Sequence, residues 1–185
     1  MYSHKYKNRR YRMRKLLIVI DMQNDFIDGA LGTKEAEAIV ENVKAKIRTY
    51  DPADVIATRD THEANYLQTQ EGRNLPVEHC IRGTDGWQVR PDIAALLTEA
   101  RVYDKPTFGS VKLAADLREL SEREDLELVI IGLCTDICVV SNALLLKAAM
   151  PEVPITVDSA CCAGVTPETH EAALATMRTC QINVI

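Results

Sequence analysis

The chain has 185 residues, 46% of them hydrophobic and 26% charged, the balance of a globular domain with a substantial core. No apolar run is long enough to span a bilayer. The formal net charge of -5 is spread unevenly: residues 1–15 carry seven Lys or Arg and no acid, so the remaining body is strongly acidic and offers no general footprint for nucleic acid. Residues 1–12 read as a disordered basic extension ahead of one domain over 13–185, in preference to an arm for phosphates or anionic lipid. The apolar run Leu16 to Ile20 is too short for a secretory segment and ends in Asp21, so a cytoplasmic protein is expected. The six cysteines, Cys80, Cys134, Cys138, Cys161, Cys162 and Cys180, then imply no disulfide framework. Their spacing is not that of a zinc finger, and most read as small core residues.

In chain order, Lys15 to Asp21 predicts a first strand. Lys34 to Tyr50 predicts one helix, with the apolar stripe Ala36, Ile39, Val40, Val43 and Ile47. Asp54 to Thr58 reads as a second strand. Residues 60–90 lack clean periodicity and contain Gly72, Pro76, Gly83 and Gly86, which predicts a long functional loop. Pro91 to Ala100 predicts a helix with proline in its first turn, Arg101 to Asp104 a short strand, and Val111 to Arg123 a helix. Leu126 to Leu133 is a strongly apolar strand, followed by a helix over Asp136 to Ala149. Pro154 to Asp158, Pro167 to Thr179 and Gln181 to Ile185 complete the pattern as strand, helix and strand. This alternation predicts a three-layer α/β/α fold with a mostly parallel six-stranded sheet. Ligands in such folds bind beyond the carboxyl ends of the strands.

Reactive residues fall at those ends. Cys138 follows the strand Leu126 to Leu133 and precedes an Ala/Leu-rich helix; a thiol near a helix N-terminus is expected to lose its proton more readily. Asp21 reads either as a base in a pocket or as a turn residue. Lys105 reads either as a pocket lysine supporting a thiolate or as an ordinary solvated lysine. Asp60, His62 and His79 form a reasonable first shell for a divalent ion, with Glu71 a further ligand through water; the alternative is that His79 merely lines a loop. Phe26, Trp87 and Phe108 are candidates to wall an aromatic-ring pocket, with ordinary packing the default. His170 reads as a structural helix residue, and Cys161 and Cys162 as structural thiols.

Taken together, the segments Asp21-Met22-Gln23-Asn24-Asp25-Phe26, Lys105, Gly132 to Val139 and His79-Cys80-Ile81-Arg82-Gly83-Thr84 resemble the isochorismatase-like cysteine hydrolases, particularly the nicotinamidase (pyrazinamidase) branch. The resemblance runs from Met13 onward. It implies Asp21, Lys105 and Cys138 as catalytic residues, with Cys138 the nucleophile and the backbone N–H groups of Cys134 and Cys138 as oxyanion hole. It also implies a cis peptide joining Leu133 to Cys134, and Asp60, His62 and His79 as ligands of zinc, with iron or manganese as alternatives. Some members add a further His shortly after the Asp-x-His pair; Glu63 to Tyr66 contain none here, which leaves Glu71 as a substitute. Phe26 and Trp87 are expected to pack on the substrate ring. The activity implied is hydrolysis of nicotinamide to nicotinate and ammonia through a thioester, a step of pyridine nucleotide salvage and NAD metabolism. The partners implied are a small amide substrate and further copies of the chain, as a dimer or tetramer. The competing readings are a relative acting on a ureido or N-carbamoyl compound, which would generally lack the metal trio, and a catalytically silent binding module.

Overall fold

A computed structural model describes residues 13–185; the expected basic extension over 1–12 lies outside the described residues. Arg14 and Lys15, the last two cations of the basic start, belong to the first strand. They pair with acids of neighbouring segments: Arg14 Nε with Asp54 at 2.6 Å and Lys15 Nζ with Glu127 at 2.9 Å.

Six strands form one sheet in the order β3-β2-β1-β4-β5-β6, and every neighbouring pair is parallel. They are β1 (Arg14–Ile20), β2 (Val55–Asp60), β3 (Arg101–Lys105), β4 (Leu126–Leu133), β5 (Ile155–Ala163) and β6 (Asn183–Val184). The stretches Leu16–Ile20 of β1 and Leu128–Leu133 of β4 are apolar because both faces of the sheet are covered there. Along β1, Leu16, Ile18 and Ile20 point into one core while Leu17 and Val19 point into the other, the period-2 alternation of a strand. Each such side chain removed from water contributes roughly 1.5–3 kcal/mol.

Among the described residues the α-helices are α1 (Asn24–Ile27), α2 (Lys34–Ala38), α3 (Val40–Ile47), α4 (Gln70–Asn74), α5 (Pro91–Ala94), α6 (Val111–Ser121), α7 (Val140–Ala149) and α8 (Pro167–Thr179), and all but α4 supply the outer layers. One face carries α6, α7 and α8 through Leu113, Leu117, Leu146, Leu174 and Met177. The other carries α1, α2, α3 and α5 through Phe26, Ala36, Val43, Ile47 and Ile93. Among the described residues, no helix is long and apolar enough to cross a membrane.

The helix expected over Lys34 to Tyr50 is interrupted at Ile39 (φ -87°, ψ -11°), yet its apolar stripe stays buried across the break. The helix expected over Pro91 to Ala100 keeps its α-helical form only to Ala94. Beyond it, Leu96 N–H and Leu97 N–H reach carbonyls three residues back, the tighter closure common at helix ends. The helix expected from Asp136 starts instead as a π-helical turn, Thr135–Val139, and becomes α-helical only in α7. β5 runs five residues past the expected Asp158, with a register shift where Ile130 faces Val157 and Gly132 faces Cys162.

Candidate active site

Asp21 lies one residue beyond β1 with φ 47°, and Lys105 closes β3 opposite Asp60 of β2. Cys138 lies in the π-turn after β4, entered through a cis peptide between Leu133 and Cys134. Gly132 permits the close approach: it pairs with Ile20 at φ 118°, and a Cβ there would lie 2.1 Å from the Ile20 carbonyl oxygen. β1 and β4 can therefore meet just before the two reactive residues leave their strands.

All three side chains are buried: Asp21 is 0% exposed, Lys105 1% and Cys138 4%. Lys105 Nζ lies 2.6 Å from Asp21 Oδ2 and 3.3 Å from Cys138 Sγ. The Thr58 hydroxyl donates to Asp21 Oδ1 at 2.6 Å, which leaves Oδ2 toward the lysine. Burial, reinforced by Asp60, raises the Asp21 pKa, against the pull of Lys105 and Thr58. Burial, with Asp21 and Asp60 adding, also holds the Cys138 thiol well above its ordinary pKa, and Lys105 only partly offsets this. This corrects the expectation that the thiol ionises easily: the helix-end argument is local, whereas desolvation and two carboxylates act through space. Burial works against the charge on Lys105, but Asp21, Cys138 and Asp60 outweigh it, so its pKa is raised. Burial thus favours the protonated thiol and the neutral Asp21 carboxyl, while Lys105 favours the charged form of each.

Next to this group, Asp60, His62, Glu71 and His79 each offer one ligand atom, all within 4.8 Å of one another. Asp60 is shared between the two clusters: Oδ1 lies 3.4 Å from Lys105 Nζ, and Oδ2 lies 2.9 Å from His62 Nε2. His62 Nε2 stands 3.5 Å from Glu71 Oε1, and His79 Nε2 stands 3.7 Å from Asp60 and 3.8 Å from Glu71. Donors at 2.0–2.2 Å around a tetrahedral ion are about 3.3–3.6 Å apart, and the spacings here scatter on both sides of that range, from 2.9 Å upward. His62 Nε2 is buried with no aligned hydrogen bond, as a ligand nitrogen would be. His79 Nδ1 faces the Val77 carbonyl at 2.8 Å, which directs Nε2 inward. Asp60 also raises the His62 pKa against burial, with Glu71 adding; the same negative potential favours any cation. The residues fit a divalent metal, with Glu71 close enough to ligate directly.

Lys105 and Cys138 of the first cluster and all four residues of the second line one cavity of about 840 Å³, whose wall includes Phe26, Phe108, Cys134 and Ile137; Asp21 is not among its lining residues. Among the described residues, neither the Cys134 N–H nor the Cys138 N–H donates to a carbonyl outside the helical turn. Trp87, expected in the wall, is not among the lining residues. Its indole N–H donates to Thr61 Oγ1 at 2.9 Å, and the Arg59 guanidinium stacks 3.8 Å from its ring centroid. A hydrogen bond and a cation–π contact hold it in place. His170 meets Thr135 Oγ1 through Nδ1 at 2.8 Å, and Cys161 and Cys162 are buried.

Four residues escaped the sequence reading. Thr58 holds Asp21. Gln23 accepts from Asp60 N–H at 2.7 Å and donates to the Asp60 carbonyl at 2.9 Å, fixing that residue's backbone. Tyr66 packs against both imidazoles. Asn142 bonds the Cys138 carbonyl at 2.8 Å. Gln23 alone carried a signal, its place inside the Asp21 to Phe26 motif.

The chain is similar to the uncharacterized isochorismatase family protein PncA of Bacillus subtilis, 34% identical over 145 residues, covering 71% of this chain and 78% of the relative. It is similar to the nicotinamidase/pyrazinamidase of Mycobacterium tuberculosis, 27% identical over 184 residues, covering 92% and 98%. Its structure resembles the pyrazinamidase of Pyrococcus horikoshii in complex with zinc, at TM-score 0.78 and 28% identity, covering 93% of this chain and 98% of that one. The Isochorismatase domain profile matches residues 15–185, and with the sheet order and the residues gathered at its carboxyl edge, this chain belongs to the isochorismatase family.

Proposed function

We propose that this protein is an amidohydrolase converting nicotinamide to nicotinate and ammonia through a thioester on Cys138. The observation that carries the reading is one lysine nitrogen 2.6 Å from Asp21 and 3.3 Å from the Cys138 sulfur, at the floor of a cavity shared with a four-residue metal-type cluster.

Asp21 takes the thiol proton as the sulfur attacks the carboxamide carbon. Because the free thiol is held protonated, transfer to a base already in place is required, and Lys105 stabilises the sulfur as charge develops. The oxyanion is received by the N–H groups of Cys134 and Cys138. Asp21 returns the proton to the nitrogen, the C–N bond breaks, and ammonia leaves. Asp21 then deprotonates a water that attacks the thioester carbon; the C–S bond breaks, and the acid and the free thiol are regenerated. Asp60, His62, Glu71 and His79 would hold a divalent metal, zinc being the first candidate. When bound, it supplies a Lewis-acid site for a ring nitrogen and so helps orient the substrate. Phe26 and Phe108 supply apolar wall for the ring. The same cluster favours a pyridine or pyrazine amide over ureido and N-carbamoyl compounds, which offer no ring nitrogen.

The test is ammonia release from nicotinamide by the wild type and by Cys138→Ala. The wild type should turn over and the variant should lose about 10⁴-fold or more in kcat. Turnover retained in the variant overturns the nucleophile assignment.

A further inference from the structure

We infer that Asn142 is a positioning residue of this site: its side-chain amide braces the turn carrying Cys138 against the loop that follows Lys105. The inference rests on the proposed role of Cys138. Asn142 lies in α7 and is 1% exposed. Its Nδ2 donates to the Cys138 carbonyl at 2.8 Å and to the Phe108 carbonyl at 3.0 Å, and its Oδ1 accepts from Ser110 N–H at 2.9 Å. Two donors and one acceptor at this reach are what a short primary amide offers; a carboxylate lacks the donors and leucine lacks all three.

The three bonds join two segments distant in sequence. One carries the sulfur. The other, residues 106–110, leads from Lys105 through the cavity-lining Phe108 to Ser110, whose hydroxyl caps α6 by accepting from Leu113 N–H. The loop packs tightly on α7 between these bonds: a Cβ on Gly109 would meet the Ser141 carbonyl oxygen at 3.2 Å and Leu145 Cδ2 at 3.3 Å. The Cys138 to Lys105 contact joins residues 33 apart, so the sulfur's place relative to the ammonium depends on how these segments dock. A displacement of about 1 Å in a reacting group can cost about 100-fold in rate.

Asn142→Leu removes all three bonds while keeping the same branching and number of side-chain heavy atoms. Asn142→Ser is the milder variant: a serine hydroxyl reaches the carbonyl four residues back, that of Cys138, but neither Phe108 nor Ser110. On the purified full-length proteins, three quantities are measured: ammonia release from nicotinamide, the thermal midpoint, and the rate of iodoacetamide alkylation at Cys138 by peptide mass mapping. Both variants, assayed well below their midpoints, should lose about 10-fold or more in kcat with KM within about 3-fold. Alkylation at Cys138 should change by more than about 3-fold, because the sulfur has moved. A folded serine variant with kcat within about 3-fold of wild type overturns the brace, whatever its midpoint, as does a rise in KM alone. If the wild type fails to turn over nicotinamide, the substrate reading falls and alkylation alone decides: a rate within about 3-fold of wild type then overturns the brace.

Discussion

Lys105 brings a cationic side chain to Asp21, Asp60 and Cys138, whereas His62 and His79 bring imidazole nitrogens to Asp60 and Glu71. Asp21 and Lys105 of the first cluster hang at strand ends, where the register of a parallel sheet fixes each side chain, and Cys138 sits in the turn that follows β4. The second hangs on a segment folded largely by its own side-chain bonds. Such a difference suits a division of labour: proton transfer demands fixed distances, while ligation selects donor type and number. Asp60 belongs to both, one carboxylate oxygen to each.

The comparison is broken most severely by Asp21→Asn. It leaves the metal-type cluster untouched and should cost about 10³-fold in kcat, the loss expected of a missing general base; turnover assays on protein of matched metal content check this. His79→Ala attacks the other half. Elemental analysis should show bound metal well below the wild-type stoichiometry, and kcat/KM for nicotinamide should fall by about 10–100-fold, mainly through KM. Undiminished metal content would remove His79 from the ligand set.

A pH profile sharpens the contrast further. Asp21 must be ionised to accept the thiol proton, and burial raises its pKa. Activity should therefore be lost, as pH falls, above the ordinary carboxylate range. The Thr58 hydroxyl lowers that pKa, so Thr58→Val should move the acid limb of kcat/KM to still higher pH, with a few-fold loss at neutral pH. The smallest effect is expected from Trp87→Phe. The variant loses the bond to Thr61, a loss of about 1 kcal/mol in a denaturant titration, and keeps kcat within about 2-fold, because the ring stands outside the cavity.

The strands were legible because a fully buried strand must be apolar along its whole length, as Leu16–Ile20 and Leu128–Ile131 are. Asp21 was legible because it follows the first run directly, and Cys138 because it lies in the turn between the second run and a helix. Residues 60–90 were not, since their order comes from side-chain bonds within the segment and to partners elsewhere in the chain. Asp25 Oδ2 accepts from Cys80 N–H at 2.7 Å, the Tyr66 hydroxyl donates to the Leu75 carbonyl at 2.9 Å, and Arg82 bonds both Glu63 and Asp104. Trp87 was misplaced for the same reason: a tryptophan goes where its indole N–H finds an acceptor, and Thr61 is that acceptor only once the loop is closed. The ionisation of Cys138 was misread because burial is a property of the assembled molecule.

β1 borders both β2 and β4, so Asp21 waits at the centre of the sheet for companions made later: Lys105 from the edge strand and Cys138 from beyond β4. A nascent or truncated chain ending before residue 126 exposes one side of β1 and lacks Cys138. Reactivity thus arrives with closure of the sheet, and an incomplete copy of this protein is chemically harmless in this respect.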